Sequence, residues 1–155
     1  MKPLISVISV NYNGYGLTCA MVESLQRHVT TPLEIIVVDN GSARDEAAML
    51  RECYPEIKAL RSDRNLGFAG GNNLGFAAAT GDYLLLLNND TEVITAAWLE
   101  EMVMYAQQKR VGCVGAKLLY PDDTIQHAGI GFGFLTLAAV SYTHLRAHET
   151  VLDLV

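Results

Sequence analysis

Four polar clusters hold the side chains able to do chemistry: Asn11-Tyr12-Asn13-Gly14, Asp39-Asn40-Gly41-Ser42, Asp63-Arg64-Asn65 and Asn88-Asn89-Asp90-Thr91. Any one of them is ordinary turn composition, because Asn, Asp and Gly form turns through local hydrogen bonds and tolerate left-handed backbone. Together they offer carboxylate and amide oxygens, the donors that a hard Mg2+ or Mn2+ ion accepts while substrate phosphate fills its other positions. Asn88-x-Asp90 puts two oxygen-bearing side chains on the same side of an extended segment. Capping the next helix is the rival role for Asp90. A fifth segment, Gly67-Phe68-Ala69-Gly70-Gly71-Asn72-Asn73, reads as a glycine-rich loop opening a helix, where bare backbone and a helix amino end suit an anion. A tight loop serving only chain reversal is its alternative.

Each cluster follows an apolar run, and that is what would bring them together. Ile5–Val10, Leu33–Asp39, Ile57–Arg61 and Tyr83–Leu87 read as strands, the second and fourth continuous enough to be buried on both faces of a parallel sheet. Helical spacing covers 16–28, with Leu17, Met21, Val22, Leu25 and Val29 on one face. Ser42-x-x-Asp45 reads as a capping box opening a second helix that ends before Pro55. Asn72–Ala79 is predicted helical, with Gly81 as its cap. A fourth helix is expected at 95–108, capped by Thr95, with Trp98, Leu99, Met102, Val103 and Ala106 inward. Val111–Leu119 is a last strand candidate. Strand–helix alternation predicts an α/β domain with a mainly parallel sheet, whose strands present their carboxyl ends, and so the polar clusters, along one edge.

Several classes drop out. GxxxxGK[ST] is absent and the first loop lacks GxGxxG, which argues against ATP hydrolysis and dinucleotide binding. A net charge of −6 over 155 residues argues against nucleic acid or an anionic membrane as partner. Half the residues are apolar and 18% are charged, so a real core is expected. Cys19, Cys53 and Cys113 are odd in number and outside any CxxC pair, hence expected as buried free thiols. Neither a signal peptide nor a transmembrane segment is visible, since a span takes about 20 apolar residues. The expected location is cytoplasmic, with a peripheral place at the inner membrane face left open. Residues 1–140 are taken as one domain. The tail 141–155 breaks the strand–helix style, reads as non-native sequence, and lends no function to His144 or His148. Asn40-Gly41-Ser42 and Asn89-Asp90-Thr91 match glycosylation acceptors by coincidence.

The motifs VISVNYNG (7–14), VVDNGS (37–42), RNLGFAGGNN (64–73), GDYLLLLNND (81–90) and VGAKLLYPDDTIQHAG (114–129) resemble, in order, those of the family-two glycosyltransferases. The nearest group is the rhamnosyltransferase-like branch, which builds O-antigen and other surface polysaccharides, and the resemblance covers residues 4–130. It implies a GT-A fold, Rossmann-like and cut short at its C-terminal side, a nucleotide-diphosphate sugar donor (dTDP- or UDP-linked), a saccharide or lipid-linked acceptor, and Mg2+ or Mn2+ as cofactor. By similarity Asn11 and Asp39 fall near base and ribose, and Asn13 counts among the nucleotide-sugar-binding residues. Asn65, Gly70, Gly71 and Asn72 line the nucleotide-sugar pocket, and Asn88 opens the family's DxD position with Asp90 as the metal carboxylate. The first acid of that motif is replaced by Asn88, which leaves the metal chiefly to Asp90. His127 matches a branch feature and reads as structural.

An inverting transferase also needs a base for the acceptor hydroxyl. In this family it lies well downstream of the metal motif, and no convincing candidate stands here. Asp122 and Asp123 sit in a Pro-Asp-Asp turn, and Glu100 and Glu101 read as the solvated face of a helix. The chain is therefore expected to be the donor-binding half of an enzyme and inactive alone. A nucleotide-sugar-binding module without chemistry is the alternative. A sugar nucleotidyltransferase is disfavoured because NYNGYG carries no Lys or Arg.

Overall fold

The apolar runs become four parallel strands. In a computed structural model, which describes residues 2–128 and the backbone of 130–132 and 139–141, β1 (Ile5–Asn11) pairs with β2 (Leu33–Asp39) from Ile5 opposite Leu33 to Asn11 opposite Asp39. Next, β3 (Lys58–Arg61) joins β2, ending with Arg61 opposite Asp39. On the far side of β1 lies β4 (Tyr83–Leu86), so the order is β3-β2-β1-β4. Register thus lines up the strand ends Asn11, Asp39 and Arg61 in one row. Leu87 N–H bonds Ile8 C=O at 3.0 Å, so the segment after β4 leaves at the same edge. The sheet's direction of growth reverses between β1 and β4, the position where open α/β sheets form a crevice.

Side-chain periodicity decides what covers each face. The helices α1 (Tyr15–His28) and α2 (Glu46–Cys53) follow β1 and β2, and right-handed crossovers put both on one face. They meet where Tyr15 Oη lies 3.1 Å from Cys53 Sγ and Tyr54 Oη donates to Glu23 at 2.8 Å. The crossover from β3 back to β4, α3 (Gly67–Ala78), takes the other face. Val7, Ile8, Ile36, Val37, Val38, Met21, Val22, Leu25 and Leu50 are fully buried between these layers, each worth about 1.5–3 kcal/mol of apolar transfer.

Several boundaries differ from expectation. The α2 cap is Asp45, whose carboxylate accepts from Ala48 N–H at 2.8 Å, while Ser42 turns to the loop after β1. The GFAGGNN segment is not a loop but the first turns of α3, which starts five residues early. Gly81 caps nothing: its N–H donates to Ser6 Oγ at 2.8 Å. Of the three free cysteines, Cys19 is half-buried and Cys53 and Cys113 are exposed, contrary to the expectation of buried thiols.

The chain divides into two units, Met1–Ala97 and Trp98–Val155. The second contains α4 (Trp98–Ala106), so Thr95 stands outside the helix it was expected to cap. The nine-residue stretch expected as a strand at 111–119 yields only β5 (Leu118–Leu119), paired antiparallel to β6 (Ile125–His127) and not to the parallel sheet. Between them, Tyr120 N–H bonds Thr124 C=O at 2.8 Å, and Asp123 takes a left-handed φ of 64° in the expected Pro-Asp-Asp turn. A last antiparallel pair joins β7 (Ile130–Phe132) to β8 (Ala139–Ser141). Beyond Ser141 the tail lies outside the described residues. Among the described residues no helix is long and apolar enough to cross a membrane.

Candidate functional site

The row of strand ends is knitted together by side chains. Asn11 is wholly buried, with both its amide nitrogen and its amide oxygen engaged. Its Nδ2 donates to Glu46 Oε2 at 2.7 Å, and its Oδ1 accepts from Gly14 N–H (3.2 Å), Thr18 Oγ1 (3.0 Å) and Asn89 Nδ2 (3.3 Å). Such a residue organises loops; no lone pair is left facing solvent. Asp39 is wholly buried too, accepting from Ser42 N–H at 3.0 Å, Ala47 N–H at 3.3 Å and the Arg61 guanidinium at 2.5 Å. Arg61 also reaches the Ser42 and Arg44 carbonyls at 3.1 and 2.8 Å, so one cation closes the loop between β2 and α2.

Asn13, at a left-handed φ of 53°, ties the first loop to the second: its N–H donates to Ser42 Oγ at 2.8 Å and its Oδ1 accepts from Ala43 N–H at 2.9 Å. Asn40 ties the second to the third, donating to Asn65 Oδ1 and Gly67 C=O and accepting from Leu66 N–H at 2.9 Å. Being buried and engaged on both sides, Asn40 is closed to a glycosylating enzyme, in line with the coincidental reading of its triplet. Asn65 stays exposed and caps Gly67 N–H at 2.8 Å. The glycines of α3 do something else. A Cβ on Gly71 would come within 2.9 Å of Val10, so that residue faces the sheet, and Asn72 is buried with Nδ2 bonded to Phe68 C=O. Gly70 is half-buried against Leu66.

At the fourth strand end the backbone is a turn, closed by Thr91 N–H to Asn88 C=O at 3.2 Å, rather than an extended segment. Asn88 and Asp90 are exposed, and the half-buried Asn89 between them turns its amide to Asn11 and Thr18. An exposed carboxylate and an exposed amide oxygen fit a hard cation that completes its shell with diphosphate and water. Among the described residues no group of three His, Cys, Asp or Glu could hold a metal ion by itself. Sequence reasoning missed Thr18, Asn40, Glu46, Asn89 and Arg61. Only Asn40 and Asn89 stood in motifs that pointed at them.

The arrangement has counterparts. A protein of Sinorhizobium fredii is 40% identical over 136 residues, covering 84% of this chain and 15% of its own. The O-antigen biosynthesis protein RfbC of Myxococcus xanthus is 36% identical over 146 residues, 92% of this chain and 12% of that one. The chain therefore spans less than a sixth of these relatives. Among solved structures, the GDP-Man and Mn2+ complex of the Pyrobaculum calidifontis mannosyltransferase PcManGT matches with TM-score 0.65 at 22% identity, over 79% of this chain and 37% of that one. Staphylococcus aureus TarS 1–349 with UDP-GlcNAc matches with TM-score 0.56 at 26% identity, over 68% and 31%. The fold is that of the GT-A glycosyltransferases. With the glycosyl transferase family 2 model matching residues 6–136, the chain belongs to that family.

Proposed function

We propose that this chain forms the donor-binding part of an inverting glycosyltransferase. It would take a nucleotide-diphosphate sugar, dTDP- or UDP-linked by branch, for transfer to a saccharide or lipid-linked acceptor in surface polysaccharide synthesis. The observation that carries this reading is the convergence of four strand-end loops at one sheet edge, hydrogen-bonded to one another, with Asn88 and Asp90 left exposed. Membership of family 2 and the kinship to an O-antigen biosynthesis protein support the reaction class.

In this reading Asp90, with Asn88, would hold Mg2+ or Mn2+, which when bound supplies positive charge against the departing diphosphate. The chain's own groups bind and orient. Asn13, Asp39 and Asn65 shape the loops around base and ribose, and the α3 start closes the sugar side. Asp122 is weakened as a base, because the Thr124 hydroxyl and N–H, at 2.6 and 3.1 Å, hold its carboxyl below the usual carboxylate range. The proposal is binding without transfer by this chain.

Thermal-shift and calorimetric titration with UDP, dTDP and GDP sugars, with and without Mn2+, test it. One nucleotide should stabilise the chain, and more strongly with Mn2+. Asp90→Ala should lose at least tenfold of the Mn2+-dependent affinity, about 1.4 kcal/mol. Indifference to every nucleotide overturns the donor-site reading, and sugar transfer by the purified chain overturns the restriction to binding.

A further inference from the structure

The buried polar chain behind the fourth strand end has a direction. Gly14 N–H can only donate and the Glu46 carboxylate only accept, so Asn11 must turn Oδ1 to the former and Nδ2 to the latter. Thr18 Oγ1 gives its proton to that same Oδ1 and keeps a lone pair, into which Asn89 Nδ2 donates at 3.1 Å while also reaching Asn11 Oδ1 at 3.3 Å. Position 89 is therefore required to donate. Space is as tightly drawn as polarity. A Cβ on Gly14 would stand 2.8 Å from Asn89 Nδ2 and 3.1 Å from Asn11 Oδ1. Gly14 has φ −126°, open to any residue, so glycine is needed there for room and not for backbone freedom.

This clamp grips the middle of Asn88-Asn89-Asp90, whose outer members are the exposed ones. A turn closed by a single backbone bond is loose, and a second attachment through residue 89 restricts how its neighbours point. Resting on the reading of Asp90 as the metal carboxylate, we propose that Asn89 is a positioning residue: by donating to Asn11 and Thr18 it holds the turn so that Asn88 and Asp90 offer their oxygens together to the metal–diphosphate group. Asn11, which also binds Glu46 and Gly14, then joins the nucleotide-side loops to the metal side in one network.

The test uses the 155-residue chain and whichever of UDP, dTDP and GDP binds it most tightly, titrated with and without Mn2+. The readout is the ratio of the two affinities, which a merely structural defect would leave unchanged. Asn89→Asp keeps the volume and removes the donors. Asn89→Ala leaves Asn11 Oδ1 two donors, Gly14 N–H and Thr18, so nothing buried is orphaned and the fold is kept. Both are expected to retain metal-free affinity and lose at least tenfold of the Mn2+ ratio, and Gly14→Ala, whose Cβ crowds the Asn89 amide most closely, is expected to lose the ratio as well. A folded Asn89 variant with a wild-type ratio overturns the clamp, and so does an equal loss with and without Mn2+. If both Asn89 variants unfold, Gly14→Ala decides by the same criterion. Loss of the ratio in Asp90→Ala beside wild-type ratios at position 89 overturns the clamp alone. A wild-type ratio in Asp90→Ala overturns the metal reading, and the clamp falls with it.

Discussion

Asp39 is a carboxylate with no exposed surface, and its cationic partner is Arg61, whose side chain is 30% exposed. Taking the guanidinium away would strand a buried charge on two backbone N–H groups, and breaking a buried pair from one side costs about 3–5 kcal/mol. Because Arg61 reaches solvent and water would partly refill its place, Arg61→Ala is expected at the low end, about 3 kcal/mol, read as a lowered urea midpoint. Arg61→Lys should recover only part of that, since a single ammonium cannot serve Asp39 and the Ser42 and Arg44 carbonyls with a planar fork. A midpoint within experimental scatter of the wild type for Arg61→Ala would show that the pair carries no stability. Asp39 and Asn11 were legible in the sequence because a polar residue ending an apolar strand stands out. Their partners were not. Glu46 looks like any acid in a helix's first turn, and Arg61 like the solvated end of a short strand. What identifies Arg61 is its register opposite Asp39, and what identifies Glu46 is the placing of the start of α2 over Asn11; composition encodes neither.

Elements were legible where periodicity was strong. β2 has its expected bounds, and β1, α1 and β4 lie within a residue of theirs. α3 was misplaced because glycine was taken as loop punctuation. Here Gly71 and Gly75, four residues apart, form the helix face that lies on the sheet, and a Cβ on Gly75 would come within 2.4 Å of Ile8 Cγ2. Gly75→Ala therefore sets about 1 kcal/mol of helix propensity against overpacking of about 1–3 kcal/mol. With the added Cβ at 2.4 Å the cost falls at the upper end, so net destabilisation of up to about 2 kcal/mol is expected. Gly16 in α1 is the control: nothing lies within 4 Å of its added Cβ, so Gly16→Ala should stabilise by about 0.5–1 kcal/mol. Urea midpoints moving in the same direction for both would contradict this division. The 111–119 stretch failed for the opposite reason, its apolar spacing suiting a strand whose length only tertiary pairing decides.

On the scale of the whole sheet, the edge opposite the loops carries charge as well, but closed on itself. Glu34 at the start of β2 accepts from Ser6 Oγ in β1 at 2.5 Å, from Thr80 N–H and Oγ1 before β4 at 2.8 and 2.9 Å, and pairs with Lys58 at the start of β3. One side chain thus joins the origins of four strands. Burial works to raise its carboxyl, yet Lys58, Ser6 and Thr80 together outweigh it and hold it down at about 2. A carboxyl depressed on folding contributes stability that is complete above its unfolded value, near 4.5, and disappears as pH falls through the folded one. Lys58 is half in solvent, so screening trims the ion pair and the hydrogen bonds carry most of the effect. Glu34→Gln is expected to cost about 2 kcal/mol at neutral pH, the scale of hydrogen bonds to a charged group. The gap between wild-type and variant urea midpoints should stay constant from pH 7 to about 5 and narrow steadily between about 4.5 and 2. A gap unchanged at pH 3 would mean that the carboxylate's charge contributes nothing. Because the Glu34 cluster lies a strand's length from Asn11 and Asp39, nucleotide affinity in the variant should match the wild type at pH 7, stability residing at the edge where strands begin and binding at the edge where they end.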